Sequence, residues 1–344
     1  MSRMIKFPSI ESFRHTCKTV KMQAQYQGQD ENDKAIMDPF AEMPVIEFTG
    51  TVKLHGTNAG VAYDGENLWA QSRKNVITPE KDNAGFAFFV ESNRDLFIEM
   101  MRKIRFEIGV ESGDTTVIYG EWCGKGIQKG VAITELDKMF VVFKVKVATV
   151  NKEDSNYWVD LDSCKFQPIW GHFNDVRVFF IDQFPIYKME IDFSKPEESQ
   201  NKLIDLTMAV EAECPVGKHF GVSGIGEGIV WSAGEHIFKV KGEKHSVTKV
   251  KKLASVDIEK VNSIKEFVEY ACTENRLKQG IDEVFTLQGI EPSKKDIRLF
   301  ISWINRDVVK EEMDTLASNG LTPKDVGSAL SRKAVKWLME NYEV

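Results

Sequence analysis

Short runs of β-branched and aromatic residues recur through the first 250 residues of this 344-residue chain, and they limit its fold more than any other feature. Such residues favour strands because they pack well on a pleated sheet. The runs predict strands at residues 45–48, 50–53, 60–63, 116–120, 140–147, 176–181, 228–231 and 237–240. Helical patterns lie between them at about 84–106 and 198–213. Because strands and helices do not alternate strictly, we expect antiparallel sheets with packed helices rather than a doubly wound parallel sheet.

The pattern changes after about residue 252, where apolar residues recur at helical spacing. Capping residues or a proline mark the starts of three predicted helices, and glycines mark two of their ends. The helices run from 263 towards 280, from 293 to near 320, and from 322 onward. The sequence therefore predicts an α+β chain. Residues 1–250 form a mixed domain, and residues 251–344 form a small all-α domain.

Several classes of protein are excluded or disfavoured. The longest apolar runs, such as 140–143 and 299–301, are too short to cross a bilayer, so we expect no membrane association. The first residues contain no apolar segment of the kind found in signal peptides. The five cysteines are odd in number and scattered, which favours reduced thiols over a disulfide framework or a zinc site. We therefore expect a cytoplasmic protein.

The charge of the chain is informative through its distribution. A formal net charge of −7 does not indicate a nucleic-acid binder. Residues 241–252, however, hold five lysines and one glutamate. Such a run is either a solvated linker or a strip that contacts phosphate groups, and charge alone leaves both interpretations open.

The most specific string is KLHGTN at residues 53–58, directly after a predicted strand. Gly56 lets the backbone approach a ligand, and His55 places an imidazole two positions from the amine of Lys53. A lysine becomes a nucleophile when desolvation or nearby cations lower its pKa. The alternative is a surface lysine before a tight turn.

Two further strings follow along the chain. Glu121 lies beside Gly120 at a strand end, where a carboxylate can accept a ribose hydroxyl; the alternative is an exposed turn glutamate. In the run FVVF, either Phe140 or Phe143 could stack on a base, although core packing is the commoner role of such residues.

The last two strings carry charge. Glu227 lies between two glycines ahead of an apolar strand, and its alternative is again a turn glutamate. Lys239 and Lys241 share one face of a strand, where two cations repel each other unless an anion lies between them. A nucleotide phosphate would be such an anion, whereas a solvated strand face is the plainer interpretation.

The order of these five strings resembles the nucleotidyltransferase motifs of covalent polynucleotide ligases and mRNA capping enzymes. The details are most similar to the phage RNA ligase 2 family of nick-sealing RNA ligases. They include His55 and Asn58, the string GIQK at 126–129 and the helical tail from 274–276. The resemblance covers residues 48–344. It implies an antiparallel-sheet adenylyltransferase domain followed by an α-helical nucleic-acid-binding domain.

The resemblance also implies a reaction. An ATP-dependent RNA ligase of this family seals 3′-hydroxyl/5′-phosphate breaks, here nicks in duplex RNA or an RNA/DNA hybrid. It works through lysyl-AMP and RNA-adenylate intermediates. Lys53 would attack the α-phosphate of ATP, with Mg²⁺ as cofactor and Mn²⁺ as a substitute. No obligate protein partner is implied, and a phage-encoded enzyme would act in RNA repair in the host cytoplasm.

Roles for individual residues follow from the same resemblance. His55 would act near the departing pyrophosphate. Asn58 and Arg73 would contact phosphate or the AMP-bearing nick, and arginine suits such contacts because its guanidinium binds phosphate through two hydrogen bonds. Glu121 would bind the ribose, and Phe143 would stack on adenine.

The remaining roles concern the adenine edge, the metal and the α-phosphate. The backbone beside Val52 and Leu54 would contact the adenine edge. Glu227 would bind the catalytic Mg²⁺ directly or through water. Lys239 and Lys241 would bind the α-phosphate and lower the pKa of the nucleophilic lysine by like-charge repulsion.

Other functions remain open at this point. A ligase for DNA nicks or single-stranded ends, or a GTP-using capping enzyme, would share the motifs. No oligonucleotide-binding barrel is evident after the last string, which disfavours the capping enzyme and the usual DNA ligase. A catalytically inactive module that binds nucleic-acid ends is a further alternative. The intact motif residues argue against it; they are Lys53, Glu121, Glu227, Lys239 and Lys241.

Overall fold

The computed structural model describes residues 3–149, 156–159, 171–244, 264–293, 295–318 and 320–342. The chain divides into two compact units, one of Met1–Ser199 with Leu203–Val240 and one of Gln200–Lys202 with Lys241–Val344. The predicted boundary at residue 250 and the helix start at Ser263 lie outside the described residues. Within the described ranges, no helix is both long and apolar enough to cross a membrane.

The described strands all lie before Gly242, as the sequence predicts. They are β1 (Glu11–Ser12), β2 (Tyr26–Gln29), β3 (Ala35–Met37), β4 (Val45–Lys53), β5 (Gly56–Tyr63), β6 (Leu68–Ser72), β7 (Val76–Ile77), β8 (Thr115–Cys123), β9 (Met139–Ala148), β10 (Tyr157–Val159), β11 (Val178–Phe180), β12 (Ile186–Asp192), β13 (Gly228–Ala233) and β14 (His236–Lys241).

Among the described residues these strands form two large sheets and one small hairpin. The first sheet has the order β1-β14-β13-β4-β12, the second has the order β10-β9-β8-β5-β6-β7 with β11 also on β9, and β2 pairs with β3. Between these strands the described pairings are antiparallel, except for the parallel pairs of β1 with β14 and β9 with β11. The predicted class, α+β with mainly antiparallel sheets, is confirmed.

The helices of the first unit differ from the prediction, because the sequence predicts one helix over 84–106 and none over 13–25 or 215–219. They are α1 (Phe13–Gln25), α2 (Phe86–Ser92), α3 (Arg94–Ile108), α4 (Pro196–Ala212) and α5 (Pro215–His219). The single helix predicted over 84–106 is therefore wrong, because the chain breaks it at Asn93. There the backbone leaves helical geometry with φ −119°, and the side chain donates a hydrogen bond to the carbonyl of Phe89. Asparagine side chains compete with helical hydrogen bonds in this way.

The packing of the first sheet determines which side of it can react. Phe48, Val52, Ile229 and Trp231 are buried in the core on one face of the sheet. Because successive strand side chains point to opposite faces, Lys53 lies on the other face. The second sheet packs a separate core against α2 and α3, including Phe97.

Four α-helices lie among the described residues after Lys241. They are α6 (Ile264–Ala271), α7 (Glu274–Val284), α8 (Ile297–Ser318) and α9 (Pro323–Asn341). The first predicted helix is two helices here, because Thr273 caps α7 by accepting a hydrogen bond from the backbone N–H of Arg276. The start at Thr322 and Pro323 is confirmed, and Asp325 completes a capping box there.

One buried cation joins three helices of this unit. The Arg276 side chain is 0 % exposed. Its Nε donates to Asp307 Oδ2 at 2.9 Å, Nη1 donates to the carbonyl of Ala271, and Nη2 lies 3.7 Å from Glu312 Oε1. Removing one member of such a group is costly, because it leaves an uncompensated charge inside the protein.

We expect Arg276→Met to destabilise the helical unit by about 3–5 kcal/mol, because Asp307 and Glu312 lose their counter-charge. Hydrogen exchange measured by mass spectrometry should show faster exchange in α7 and α8 and unchanged exchange in β4 and β5. Lys278→Met is the matched control: Lys278 pairs with Glu274 on the surface, where an ion pair contributes below about 1 kcal/mol. Equal exchange in the two variants would contradict a stabilising role for the buried group.

Candidate active site

Strand register brings Lys53 and Glu227 together from 174 residues apart. β4 ends at Lys53 and β13 begins at Gly228. Lys53 and Gly228 lie opposite each other in the antiparallel pair. Glu227 directly precedes β13, and the Lys53 Nζ donates a hydrogen bond to its Oε2 at 2.7 Å. Gly226 is required beside it, because a Cβ there would lie 2.6 Å from the carbonyl oxygen of Val210.

The turn from β4 to β5 carries the chain from the first sheet to the second, and it adds a second group to the same carboxylate. His55 Nδ1 lies 3.1 Å from Glu227 Oε2, the oxygen that also accepts from Lys53. The Glu227 side chain is only 3 % exposed, whereas both partners remain partly open to solvent. One buried carboxylate oxygen therefore holds an amine and an imidazole at the junction of the two sheets.

Glu121 enters the site from the second sheet. Its Oε1 accepts the backbone N–H of Gly56 at 3.0 Å, and it lies opposite Asn58 in the pairing of β5 with β8. Gly56 has no substitute here, because a Cβ would overlap the carbonyl oxygen of Trp122. Burial raises the pKa of Glu121 to about 7, although the charge of Lys53 acts in the opposite direction.

The pKa of Lys53 differs in direction from the sequence-based expectation. Burial lowers this pKa, but the charges of Glu227 and Glu121 and the hydrogen bond to Glu227 raise it by more, so that it lies above its ordinary value. Arg73 has a smaller effect in the lowering direction. The expected depression of the Lys53 pKa is therefore wrong for the site as the structure shows it. The cause is the carboxylate that the register places 2.7 Å from the amine.

The predicted phosphate-contacting residues lie on different elements around Lys53 and Glu227. Asn58 is half-buried in β5, opposite Glu121. Arg73 is exposed in the turn between β6 and β7, close enough to affect the pKa of Lys53. Lys239 lies in β14 on the face opposite the buried Phe238, which is the face that also carries Lys53.

The remaining predicted residues have distinct positions. Lys241 is the last residue of β14 and belongs to the second compact unit. The Val52 and Leu54 side chains are buried in the core, so only their backbone is left to contact a ligand. The contact of this backbone with the adenine edge remains a prediction.

A bulge distinguishes the two phenylalanines of the FVVF run. In the pairing of β8 with β9, Tyr119 opposes Lys144 and Gly120 opposes Val142, so Phe143 is the extra residue. A bulge changes the direction of a side chain and often lies beside a functional site. Phe143 is half-buried, whereas Phe140 is fully buried in the core. Of the two, Phe143 is the ring that remains available for stacking.

Sequence reasoning missed the segment that packs behind Phe143. The buried side chain of Gln71 accepts from the Ile5 backbone N–H at 3.3 Å and donates to the Ile5 carbonyl at 2.6 Å. This holds the N-terminal segment against the second sheet, where the Phe7 ring lies 5.3 Å from Phe143, edge to face. No local pattern signals a contact across 66 residues.

A second missed element supports the KLHGTN string. Asn83 Nδ2 donates to Thr57 Oγ1 at 3.1 Å. The next residue, Ala84, has φ 53°, a strained value for alanine, and its carbonyl accepts from Trp122 Nε1 and Lys138 Nζ. The sequence DNAG at 82–85 is a turn signal that could have drawn attention to this loop.

The donor set limits the kind of metal ion that fits. Among the described residues, no three His, Cys, Asp or Glu side chains are placed to hold an ion together. Mg²⁺ does not require such a cage, because it keeps several waters and binds through one or two carboxylates plus substrate phosphates. Glu227, buried at the junction with Glu121 nearby, fits a cation of this kind.

Comparison with known families identifies the class of protein. A family model described as RNA ligase matches residues 46–251, which is more than half of the chain and includes Lys53, Glu121, Phe143 and Glu227. The chain belongs to the RNA ligase family. A comparison with curated proteins gives no match.

Solved structures of a Naegleria gruberi RNA ligase are similar to the chain. A variant with AMP and Mn is 15 % identical with a TM-score of 0.42, and the structure with PPi is 16 % identical with a TM-score of 0.42. A variant with ATP and Mn is 16 % identical with a TM-score of 0.43. Each alignment covers 70 % of this chain and 56 % of the Naegleria chain, so this chain spans just over half of that protein's length.

The charge arrangement predicts how Lys53 responds to loss of its partner. Glu227→Gln keeps the shape of the side chain but removes the largest charge that raises the Lys53 pKa, so this pKa should fall. Labelling of Lys53 by a limiting amine-reactive reagent, followed by peptide mass spectrometry across pH, should then reach half-maximum at lower pH. Glu213→Gln, which removes the surface partner of Lys218, should leave the Lys53 profile unchanged. An unchanged or higher midpoint in Glu227→Gln would contradict the electrostatic account.

Proposed function

We propose that this chain is an ATP-dependent RNA ligase that joins a 3′-hydroxyl to a 5′-phosphate through a lysyl-AMP and an RNA-adenylate. The observation that carries the proposal is the Lys53 amine bound to Glu227 at 2.7 Å, next to His55 and Glu121, at the junction of two sheets. An amine nucleophile, a carboxylate and a histidine are thereby assembled in the part of the chain that matches the RNA ligase family.

The first step forms a bond between Lys53 Nζ and the α-phosphorus of ATP while the bond to pyrophosphate breaks. The amine must first lose a proton, because an ammonium has no lone pair. Glu227 Oε2 is its hydrogen-bond acceptor in the structure, so a cation that binds this carboxylate would remove the partner that holds the proton on the amine, and the proton would leave to water. His55, held to the same oxygen, is suited to stabilise or protonate the departing pyrophosphate.

ATP and a divalent cation are the cosubstrate and cofactor of the proposed reaction, and the Naegleria gruberi structures are described with ATP or AMP and Mn. Glu227 would hold the cation. When bound, the cation supplies positive charge that neutralises phosphate oxygens. Lys239, Lys241 and Arg73 are assigned to phosphate oxygens, and Asn58 is assigned to phosphate or the adenylated end.

The nucleoside would be held by the second sheet. Glu121 accepts the backbone N–H of Gly56 through one oxygen, and we assign its carboxyl to the ribose hydroxyls. Phe143, directed by the bulge and backed by Phe7, is the proposed stacking partner of adenine. The backbone beside Val52 and Leu54 would contact the edge of the base.

Two later steps complete the proposed sealing. The 5′-phosphate of the RNA attacks the lysyl-AMP phosphorus, which releases Lys53 and gives an RNA-adenylate. The 3′-hydroxyl then attacks the 5′-phosphate, forms the phosphodiester and releases AMP. We propose nicks in duplex RNA or RNA/DNA hybrids as substrates, as in the RNA ligase 2 family, with the helical unit holding the duplex. The A-form shape and 2′-hydroxyls would favour RNA on the 3′-hydroxyl side.

Lys53 variants separate these steps. Lys53→Ala and Lys53→Arg should take up no AMP from radioactive ATP, since alanine has no nitrogen nucleophile and a guanidinium stays protonated. Neither should seal a nicked RNA duplex with a plain 5′-phosphate. Lys53→Ala should still seal a nick that already carries 5′-AMP, because the last step does not use the amine. Lys6→Ala, at an exposed lysine outside the site, is the control.

The outcomes separate the proposal from its alternatives. Labelling of Lys53→Ala at the wild-type level would contradict the assignment of the nucleophile. Nicked-RNA binding by a folded wild-type protein that takes up no AMP would favour an inactive end-binding module. Better sealing of nicked DNA or of single-stranded ends than of nicked RNA would overturn the proposed substrate.

A further inference from the structure

One row of exposed residues on α8, from Arg298 to Lys310, is basic, although the helix as a whole is not. Three basic residues and four acidic ones lie between Ile297 and Ser318. Two of the acidic side chains, Asp307 and Glu312, turn inward to the buried Arg276. Arg276 pairs with both of them inside the unit, so these two residues do not balance the basic residues on the surface.

The exposed basic residues form one row along the helix. Arg298, Ser302, Arg306 and Lys310 are exposed and spaced four residues apart, so they follow a single surface ridge. The buried residues of α8 follow a second row at the same spacing, which includes Phe300, Ile304 and Val308. The two rows are offset by two residues, about 200° around the helix, so the basic row lies opposite the core.

Among the described residues, the cations of this row lack the carboxylate partners that three other lysines of the unit have. Lys278, Lys333 and Lys336 in the same unit each pair with a glutamate. Across the described part of the chain, by contrast, Arg298, Arg306 and Lys310 form no ion pair. Three unpaired like charges on one ridge repel each other, and an anionic partner would remove that cost.

We propose that the α8 row, Arg298, Ser302, Arg306 and Lys310, is the surface of the helical unit that binds the phosphate backbone of the RNA substrate. The row is about 18 Å long, at 1.5 Å per residue. Over that length a nucleic-acid duplex presents about ten phosphate charges, so each cation can meet one. Ser302 adds a hydrogen-bond donor between them. The inference rests on the proposed function and specifies which surface holds the RNA.

Salt dependence of RNA binding tests the proposal, because each phosphate contact releases counterions. The full-length protein, without ATP, is titrated into a fluorescent nicked RNA duplex at several KCl concentrations. Combining Arg298→Gln, Arg306→Gln and Lys310→Gln should reduce the slope of log K against log [KCl] by about three, or about one per cation. The affinity at low salt should fall at least tenfold, and each single substitution should reduce the slope by about one.

The matched control removes the same number of charges from the same unit. Lys278→Gln, Lys333→Gln and Lys336→Gln together should leave the slope close to the wild-type value, since those lysines already have carboxylate partners. A row variant with wild-type slope and affinity would overturn the proposal, as would a control that loses as much binding. The first result would mean that the row serves a different anion, such as an acidic protein or lipid surface.

AMP uptake from ATP is measured on the same preparations, so that the two proposals can fail separately. The row variant should take up AMP like the wild type, because no residue of the row is assigned to the reaction. If the wild type takes up no AMP but binds RNA through the row, the ligase assignment fails and the row remains. If AMP uptake is normal and the row variant binds RNA like the wild type, the row assignment fails and the ligase assignment remains.

Discussion

The contact between Lys53 and Glu227 is the interaction on which the site depends, and it exists only because β4 and β13 pair in one register. A slip of one residue would move Lys53 to the core face of its strand and separate the two side chains. The register is held from the other face of the sheet, where Val52 and Ile229 pack in the core. The position of a charged pair is thus determined by the burial of its apolar neighbours.

The same contact explains why the site needs more than a lysine. Burial alone would lower the Lys53 pKa, but Glu227 and Glu121 raise it and keep the amine protonated. The site is therefore stable as an ion pair and becomes reactive only when the proton leaves. A phosphate-bound cation at Glu227 and the cationic residues of β14 would offset the carboxylate charges. They would thereby favour loss of the proton from Lys53.

Local features of the sequence predicted much of the fold. The β-branched runs indicated the strands, and the Thr322-Pro323 pair indicated the start of α9. The helix predicted over 84–106 was wrong at Asn93, where a side-chain hydrogen bond outweighs the helical pattern. The motif strings also identified the residues that meet at the junction, Lys53, His55, Glu121 and Glu227, although no single string showed that they meet.

What the sequence could not supply depends on long-range pairing. The direction of the Lys53 pKa follows from a glutamate 174 residues away, and the preference for Phe143 over Phe140 follows from a bulge between two strands. The packing of Phe7 behind Phe143 depends on Gln71, which binds backbone atoms of Ile5. The basic row of α8 appears only once Arg276 is seen to draw Asp307 and Glu312 inward. None of these contacts leaves a local pattern.

The proposed reaction requires that Lys53 becomes covalently bound to AMP. The most direct measurement is to incubate the wild-type protein with ATP and Mg²⁺, digest it and locate the added mass by tandem mass spectrometry. We expect one AMP per chain on the peptide that contains Lys53, through a phosphorus–nitrogen bond that is lost in acid. AMP on another lysine, or a folded protein that gains no AMP, would contradict it.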